Sequence, residues 1–181
     1  MNLNEIIVAS LTRLHRGTGT QTIETYRNAF INSANRAMKI MAQRFRQCRK
    51  ETVTLTDSVL DTTDLERQLI RIVDVRVGDE SIDFYQDYPG SAEFVCDTDE
   101  ASVDVVYEYY PKPLADLIDI PELPEHMHDI IPYYVVACER CGGDPETQGT
   151  SSADFQLFHS QLAELERSTR GDPRSYKLLN Y

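Results

Sequence analysis

The sequence predicts an α+β fold: a bundle of about four helices with an inserted antiparallel β block and an extended C-terminal tail. Three observations carry this. Apolar residues recur every three to four positions at both ends of the chain, the period of a helix with one buried face. Between residues 51 and 112 the period drops to two, as in strands. After residue 169 no period remains. Residues 1–169 therefore read as one domain and 170–181 as a tail.

The first helix, 2–16, rests on Leu3, Ile6, Ile7, Leu11 and Leu14, with Asn2 or Asn4 able to cap it and Gly17 and Gly19 ending the pattern. The second, 22–48, places Ile23, Tyr26, Phe30, Ala34, Ala37, Met41 and Phe45 on one stripe, with Thr20 or Thr22 as cap. Cations at Arg44, Arg46, Arg49 and Lys50 crowd its end, where they complement the helix dipole. In the β block, Val53 and Leu55 share one side of a first strand. Leu69, Val73, Val75 and Val77 nearly alternate before a Gly78-Asp79 turn and a returning "SIDFY". A second hairpin is expected with Phe94 and Cys96 on one arm, Val103, Val105, Tyr107 and Tyr109 on the other, and Asp97 to Ser102 as the bend. A proline-punctuated connector, "PKPLADLIDIPELP", leads to a third helix over 124–141. Pro132 must kink that helix or delay its start. "GGDPETQG" breaks the chain, and a fourth helix runs over 151–169 on Phe155, Phe158, Leu162 and Leu165.

Charge is unevenly placed. The net value is −12, yet residues 1–50 carry nine Lys/Arg against two Asp/Glu, whereas residues 57–129 carry four against twenty. An acidic middle argues against gripping a nucleic-acid duplex, which needs cations on phosphates. It suits a surface that repels DNA or meets a basic partner. Four cysteines, unevenly spread, are too few for a disulfide scaffold of this size and point to a reducing compartment. No leader pattern and no membrane-spanning apolar run is present, so a soluble, untargeted chain is expected.

The chemical candidates are few. His126, His128, Cys138 and Cys141 invite a zinc reading, and tetrahedral zinc needs four donors converging at about 2.0–2.3 Å. On a helix His126 and Cys138 stand about 18 Å apart along the axis, so small core cysteines are the better reading and no metal or other cofactor is expected. The cysteine pair also lacks the βαβ context of a redox Cys-x-x-Cys. No nucleophile elbow, phosphate loop or His-Glu-x-x-His occurs. Asp97, Asp99 and Glu100 fall in a turn, where they are most simply solvated, and lack the spacing of a Ca²⁺ loop. The tripeptide Arg170-Gly171-Asp172 is too short to mean cell adhesion. No enzymatic activity is expected. The tail is the more informative segment. Arg170, Arg174 and Lys177 face one anion, Asp172, and Tyr176, Leu178, Leu179 and Tyr181 are apolar anchors in the last six residues. Such a segment can order on a partner, by adding a strand or filling pockets.

As an order of parts the chain resembles the head-to-tail adaptor (connector) proteins of bacteriophages with tails. The resemblance runs over nearly the whole length: a short first helix, the long amphipathic "TIETYRNAFINSANRAMKIMAQRF", a β-rich insertion and a closing helix pair. Its most characteristic stretch is "IDIPELPEHMHDIIPYYVVACERCGGDPETQGTSSADFQLFHSQLAELE", in which a Leu-Pro-Glu segment opens a Tyr/Ala-rich helix before a short break and a last helix. The resemblance implies a structural virion protein of the phage neck, made in the host cytoplasm. Its copies would form a homo-oligomeric ring, typically a dodecamer, beneath the portal protein and extend the channel through which the genome DNA passes. It makes Arg170, Arg174, Tyr176, Lys177, Leu178, Leu179 and Tyr181 the portal-docking tail. The acidic β block would line the channel or face the next neck or tail protein. A stopper or tail terminator is the nearest alternative, expected to hold well under a third helix. A small zinc or redox protein using Cys138 and Cys141 is the alternative of another class.

Overall fold

A computed structural model describes residues 1–142 and 145–170. The fold is α+β, with four helices and antiparallel sheet. Two compact units form: a helical one from Met1–Met41 and the described residues from Lys112 onward, and a sheet unit, Ala42–Pro111.

In the helical unit, α1 (Leu3–Arg13) starts at a capping box. The Asn2 side chain accepts from the Glu5 amide at 2.9 Å, and the Glu5 carboxylate accepts from the Asn2 amide at 2.9 Å. The Leu3 and Asn4 amides, which no helical carbonyl can reach, donate to the carbonyls of Asp119 and Leu117. The helix stops short of the expected residue 16. His15 turns left-handed (φ 55°), and the amides of His15 and Arg16 fold back onto the carbonyls of Thr12 and Leu11. Helix α2 (Thr20–Phe45) begins two residues before the expected start and ends three before the expected end, where Arg46 takes φ 50°. Phe30, Ala34, Ala37, Met38 and Met41 of α2 are buried, whereas Ile23 and Tyr26 of its stripe are only half-buried.

The expected helix over 124–141 is corrected to two segments. Residues Glu125–Ile130 form a 3₁₀ helix, and α3 (Ile131–Cys141) starts only there, with Pro132 in its first turn. Proline's missing amide costs nothing at that position, so the chain restarts the helix rather than bending it. Helix α4 (Pro145–Arg170) starts six residues before the expected Ser151. Pro145 occupies the first helical position, its preset φ favouring the start, and one glycine, Gly149, does not stop propagation. Helices α3 and α4 pack through Tyr134, whose ring centre lies 5.4 Å from that of Phe155 and 5.0 Å from that of Phe158. The Ser151 hydroxyl donates to the Ala137 carbonyl at 2.8 Å, and Arg140 pairs with Asp154 at 2.7 Å.

The sheet unit holds seven strands: β1 (Cys48–Thr54), β2 (Val59–Asp61), β3 (Leu69–Val77), β4 (Glu80–Ser81), β5 (Phe84–Tyr85), β6 (Glu93–Cys96) and β7 (Ser102–Tyr109). They form two sheets, β1-β7-β3-β4 and β2-β6-β5, around one core of Val53, Val75, Val103, Val105 and Tyr107 from the first and Leu60 and Cys96 from the second. The expected hairpin of "EFVC" with "VDVVYEY" does not form. β6 pairs with β2 and β5, β7 with β1 and β3, and the Asp97–Ser102 turn carries the chain between sheets so that both arms face the same core. The Gly78-Asp79 turn is where alternation put it, with Gly78 at φ 61°. The returning segment then divides, β4 on β3 and β5 on β6. Val73 also departs from expectation. A register shift between Ile72 and Asp74 hands the inward position to Ile72 and leaves Val73 43% exposed.

Candidate functional site

The tail expected to dock on a portal lies almost wholly outside the described residues. Arg170 is the last residue of α4, and Arg174, Tyr176, Lys177, Leu178, Leu179 and Tyr181 fall beyond it.

The four candidate metal donors His126, His128, Cys138 and Cys141 are not brought together. His128 is buried, and both of its ring nitrogens are engaged: Nε2 lies 2.8 Å from the Leu123 carbonyl and Nδ1 3.0 Å from the Met1 amine. A carbonyl only accepts, so Nε2 carries the proton, and in the neutral ring Nδ1 accepts from the amine. His126, two residues away, is exposed and borders a cleft of about 440 Å³ with Arg13, Asp129 and Tyr133. The Arg13 guanidinium covers the Tyr133 ring at 3.9 Å. Cys138 is half-buried and Cys141 exposed, both free thiols on the last turns of α3. Burial pushes the Cys138 thiol up, against the pull of Ser33, Tyr134 and Arg36. A reactive cysteine needs the opposite shift. Among the described residues no three His, Cys, Asp or Glu side chains are grouped so that they could hold a metal ion.

The sheet unit offers a different kind of site. Residues 42–111 carry seven basic and sixteen acidic side chains. The cations on its strands are consumed locally. Arg71 meets the buried Glu108 at 2.7 Å, Lys50 meets Asp104 at 2.8 Å, Arg76 pairs with Asp74 and Arg49 with Glu66. Asp57, Asp83, Asp97, Asp99 and Glu100 are exposed, and none makes an ion pair among the described residues. Backbone bonds hold their segments together: the Asp97 amide donates to the Asp83 carbonyl at 2.9 Å, and the Cys96 amide to the Ser58 carbonyl at 2.9 Å. The Ser58 hydroxyl reaches the Thr98 carbonyl at 2.8 Å. The tight Asp57-Ser58 turn, with φ of 54° and 62°, presents Asp57 at this end of the unit. The result is an uncompensated acidic surface with the exposed Tyr85 and Tyr88 on the same unit.

Titration of the unit follows from its partners. Hydrogen bonds from Lys50 and Thr52 hold the Asp104 carboxyl below the usual range, and backbone and hydroxyl bonds from Thr63 do so for Asp61. Their contribution is present above the unfolded carboxylate pKa of about 3.9 and lost as pH falls below it. Tyr107 is shifted upward, by burial first and then by its hydroxyl's bond to Glu51 at 2.7 Å and that residue's charge. The folded state keeps this phenol protonated while the unfolded chain ionises near pH 10, so its stabilisation is complete below about pH 10 and lost above it. Urea midpoints measured between pH 8 and 11.5 are expected to fall for the parent above about pH 10. The fall should be shallower for Tyr107→Phe, and equal slopes in the two proteins would contradict the assignment.

Sequence reasoning missed two exposed isoleucines on the connector of the helical unit, Ile118 at 82% and Ile120 at 68%. Their segment has no periodicity, and the turn that presents them is set by the Asp119 carboxylate accepting from the amides of Ala115 and Asp116. Among the described residues no helix is long and apolar enough to cross a membrane. No family model matches the chain, and no curated protein matches it either.

Proposed function

We propose that this chain is a structural protein of the phage neck, a head-to-tail adaptor whose copies form a ring, typically of twelve, beneath the portal protein. The observation that carries this reading is the sheet unit between α2 and the closing helix pair, with carboxylates at its turns that make no ion pair among the described residues. A polyanion passing such a surface is repelled rather than held, which suits a DNA channel wall. Tyr85 and Tyr88 suit contact with the next neck or tail protein, since exposed aromatic side chains supply large contact area at low entropic cost. Residues Arg170 to Tyr181 serve as the portal-docking tail, combining cations with four apolar anchors. The place of action is the virion neck, after synthesis in the host cytoplasm, and no catalysis is involved.

A stopper or tail terminator would hold well under a third helix, and the structure is 47% helical, which favours the adaptor. The zinc or redox alternative through Cys138 and Cys141 predicts stoichiometric metal lost on Cys138→Ser, readable by elemental analysis.

The test is binding of the full chain and of a chain lacking residues 170–181 to portal particles of the same virus, with complex mass as readout. The full chain is expected to add a ring-sized number of copies and the shortened chain none, with equal helicity by circular dichroism. Failure of the full chain to bind removes the adaptor reading. Equal binding of both removes the tail from it.

A further inference from the structure

The sheet unit has one unguarded edge. Edge strands invite pairing with another chain and are ordinarily blunted by shortness, bulges or outward charge. β2, β4 and β5 are three, two and two residues long, and β3 carries two register shifts. β1 is different: seven residues in unbroken register with β7. The pairing alternates. The Leu55 amide donates to the Ala101 carbonyl, and the Tyr109 amide to the Gln47 carbonyl, so the odd-numbered residues of β1 exchange bonds with β7. The amides and carbonyls of Lys50, Thr52 and Thr54 therefore face outward, and all three residues are exposed. Lys50 does not guard the edge, because Asp104 of β7 draws its ammonium back over the sheet at 2.8 Å.

The edge also has an electrical direction. Arg44 and Arg46 precede its Cys48 end. Asp57, Asp99 and Glu100 flank its Thr54 end, the last two brought there by the Leu55–Ala101 bond. Two such edges laid antiparallel set each basic end against an acidic one, whereas a parallel arrangement sets like against like. We infer that β1 is a self-pairing edge: it joins β1 of a second copy, antiparallel about a two-fold axis at Thr52, with Lys50 opposite the partner's Thr54. The two four-stranded sheets become one continuous eight-stranded sheet. This pairing closes on two copies, so it is a contact distinct from a ring and does not rest on the adaptor reading.

Disulfide trapping tests it directly on the full chain. At the axis the two Thr52 Cα atoms would stand about 5.5 Å apart, inside the range a disulfide bridges. In a Cys141→Ser background, Thr52→Cys is expected to give at least about fivefold more cross-linked dimer under mild oxidation than Ser152→Cys, an exposed α4 position. Thr52→Pro removes an outward amide without touching the ladder to β7, and sedimentation should show it monomeric at concentrations where the parent is dimeric. Cross-linking no greater than the Ser152→Cys control overturns the inference, whether or not Thr52→Pro folds. So does cross-linking that appears only after residues 170–181 are removed, since the tail would then be what covers the edge.

Discussion

Replacing Phe158 with alanine is expected to cost the helical unit about 3–5 kcal/mol, a large part of a stability of about 5–15 kcal/mol typical of a domain. The ring is fully buried and packs at a tilt against Tyr134 of α3, with ring centres 5.0 Å apart, so its loss empties the centre of the α3–α4 contact. Beside the Tyr134–Phe155 contact, the polar ties between these helices are small by comparison: the Ser151 hydroxyl bond, and an Arg140–Asp154 pair that is partly exposed and therefore screened. Phe158→Leu keeps most of the volume and should cost about 1.5 kcal/mol or less. Urea denaturation followed at 222 nm reads both values. A loss under 1 kcal/mol for the alanine variant would mean that α4 is not docked on α3 through this ring.

Asn35→Ala should be the next most damaging change, at about 2–4 kcal/mol. Its side-chain amide clamps the main chain of the connector from both sides. Nδ2 donates to the Leu114 carbonyl at 3.0 Å, and Oδ1 accepts from the Leu114 amide at 2.8 Å. Leu114 is buried, so deleting the clamp leaves a donor and an acceptor dry and unpaired. Asn35→Asp retains the acceptor and loses the donor, which separates the two bonds. Exchange of the Leu114 amide should accelerate in Asn35→Ala and stay slow in Asn35→Asp. Equal protection in the parent and the alanine variant would exclude the clamp.

Both residues show how far the sequence could be read. Phe158 was legible because α4 repeats its apolar positions at the helical period, and a period of that length has only one way to be buried. Asn35 was not, because a polar residue on a helix face gives no sign that a segment some eighty positions later will bring it an unpaired peptide group. The same limit applies in the sheet unit. Alternation identified Val53, Val75, Val103, Val105 and Tyr107 as inward, and they are buried. Alternation could not choose partners, so β6 and β7, adjacent in sequence and both apolar on one side, were expected to form a hairpin that the two-sheet arrangement forbids. It also assumes an unbroken register, which the shift between Ile72 and Asp74 violates at Val73.

For the candidate site the division is similar. The excess of carboxylates between residues 57 and 129 is plain in the sequence, and so are the cations and anchors of the tail. Which carboxylates remain uncompensated among the described residues is a tertiary fact: Glu108 and Asp104 are spent on Arg71 and Lys50, whereas Asp57, Asp83 and Asp97 lie at turns and join no ion pair there. Pro132 shows both sides within one residue. Its missing amide settles from sequence alone that no continuous helix passes undisturbed through 124–141. Only packing decided that the chain would run as a 3₁₀ turn to Ile130 and start α3 at Ile131. Local chemistry limits what a segment can be, and the core it shares with distant segments selects among what is left.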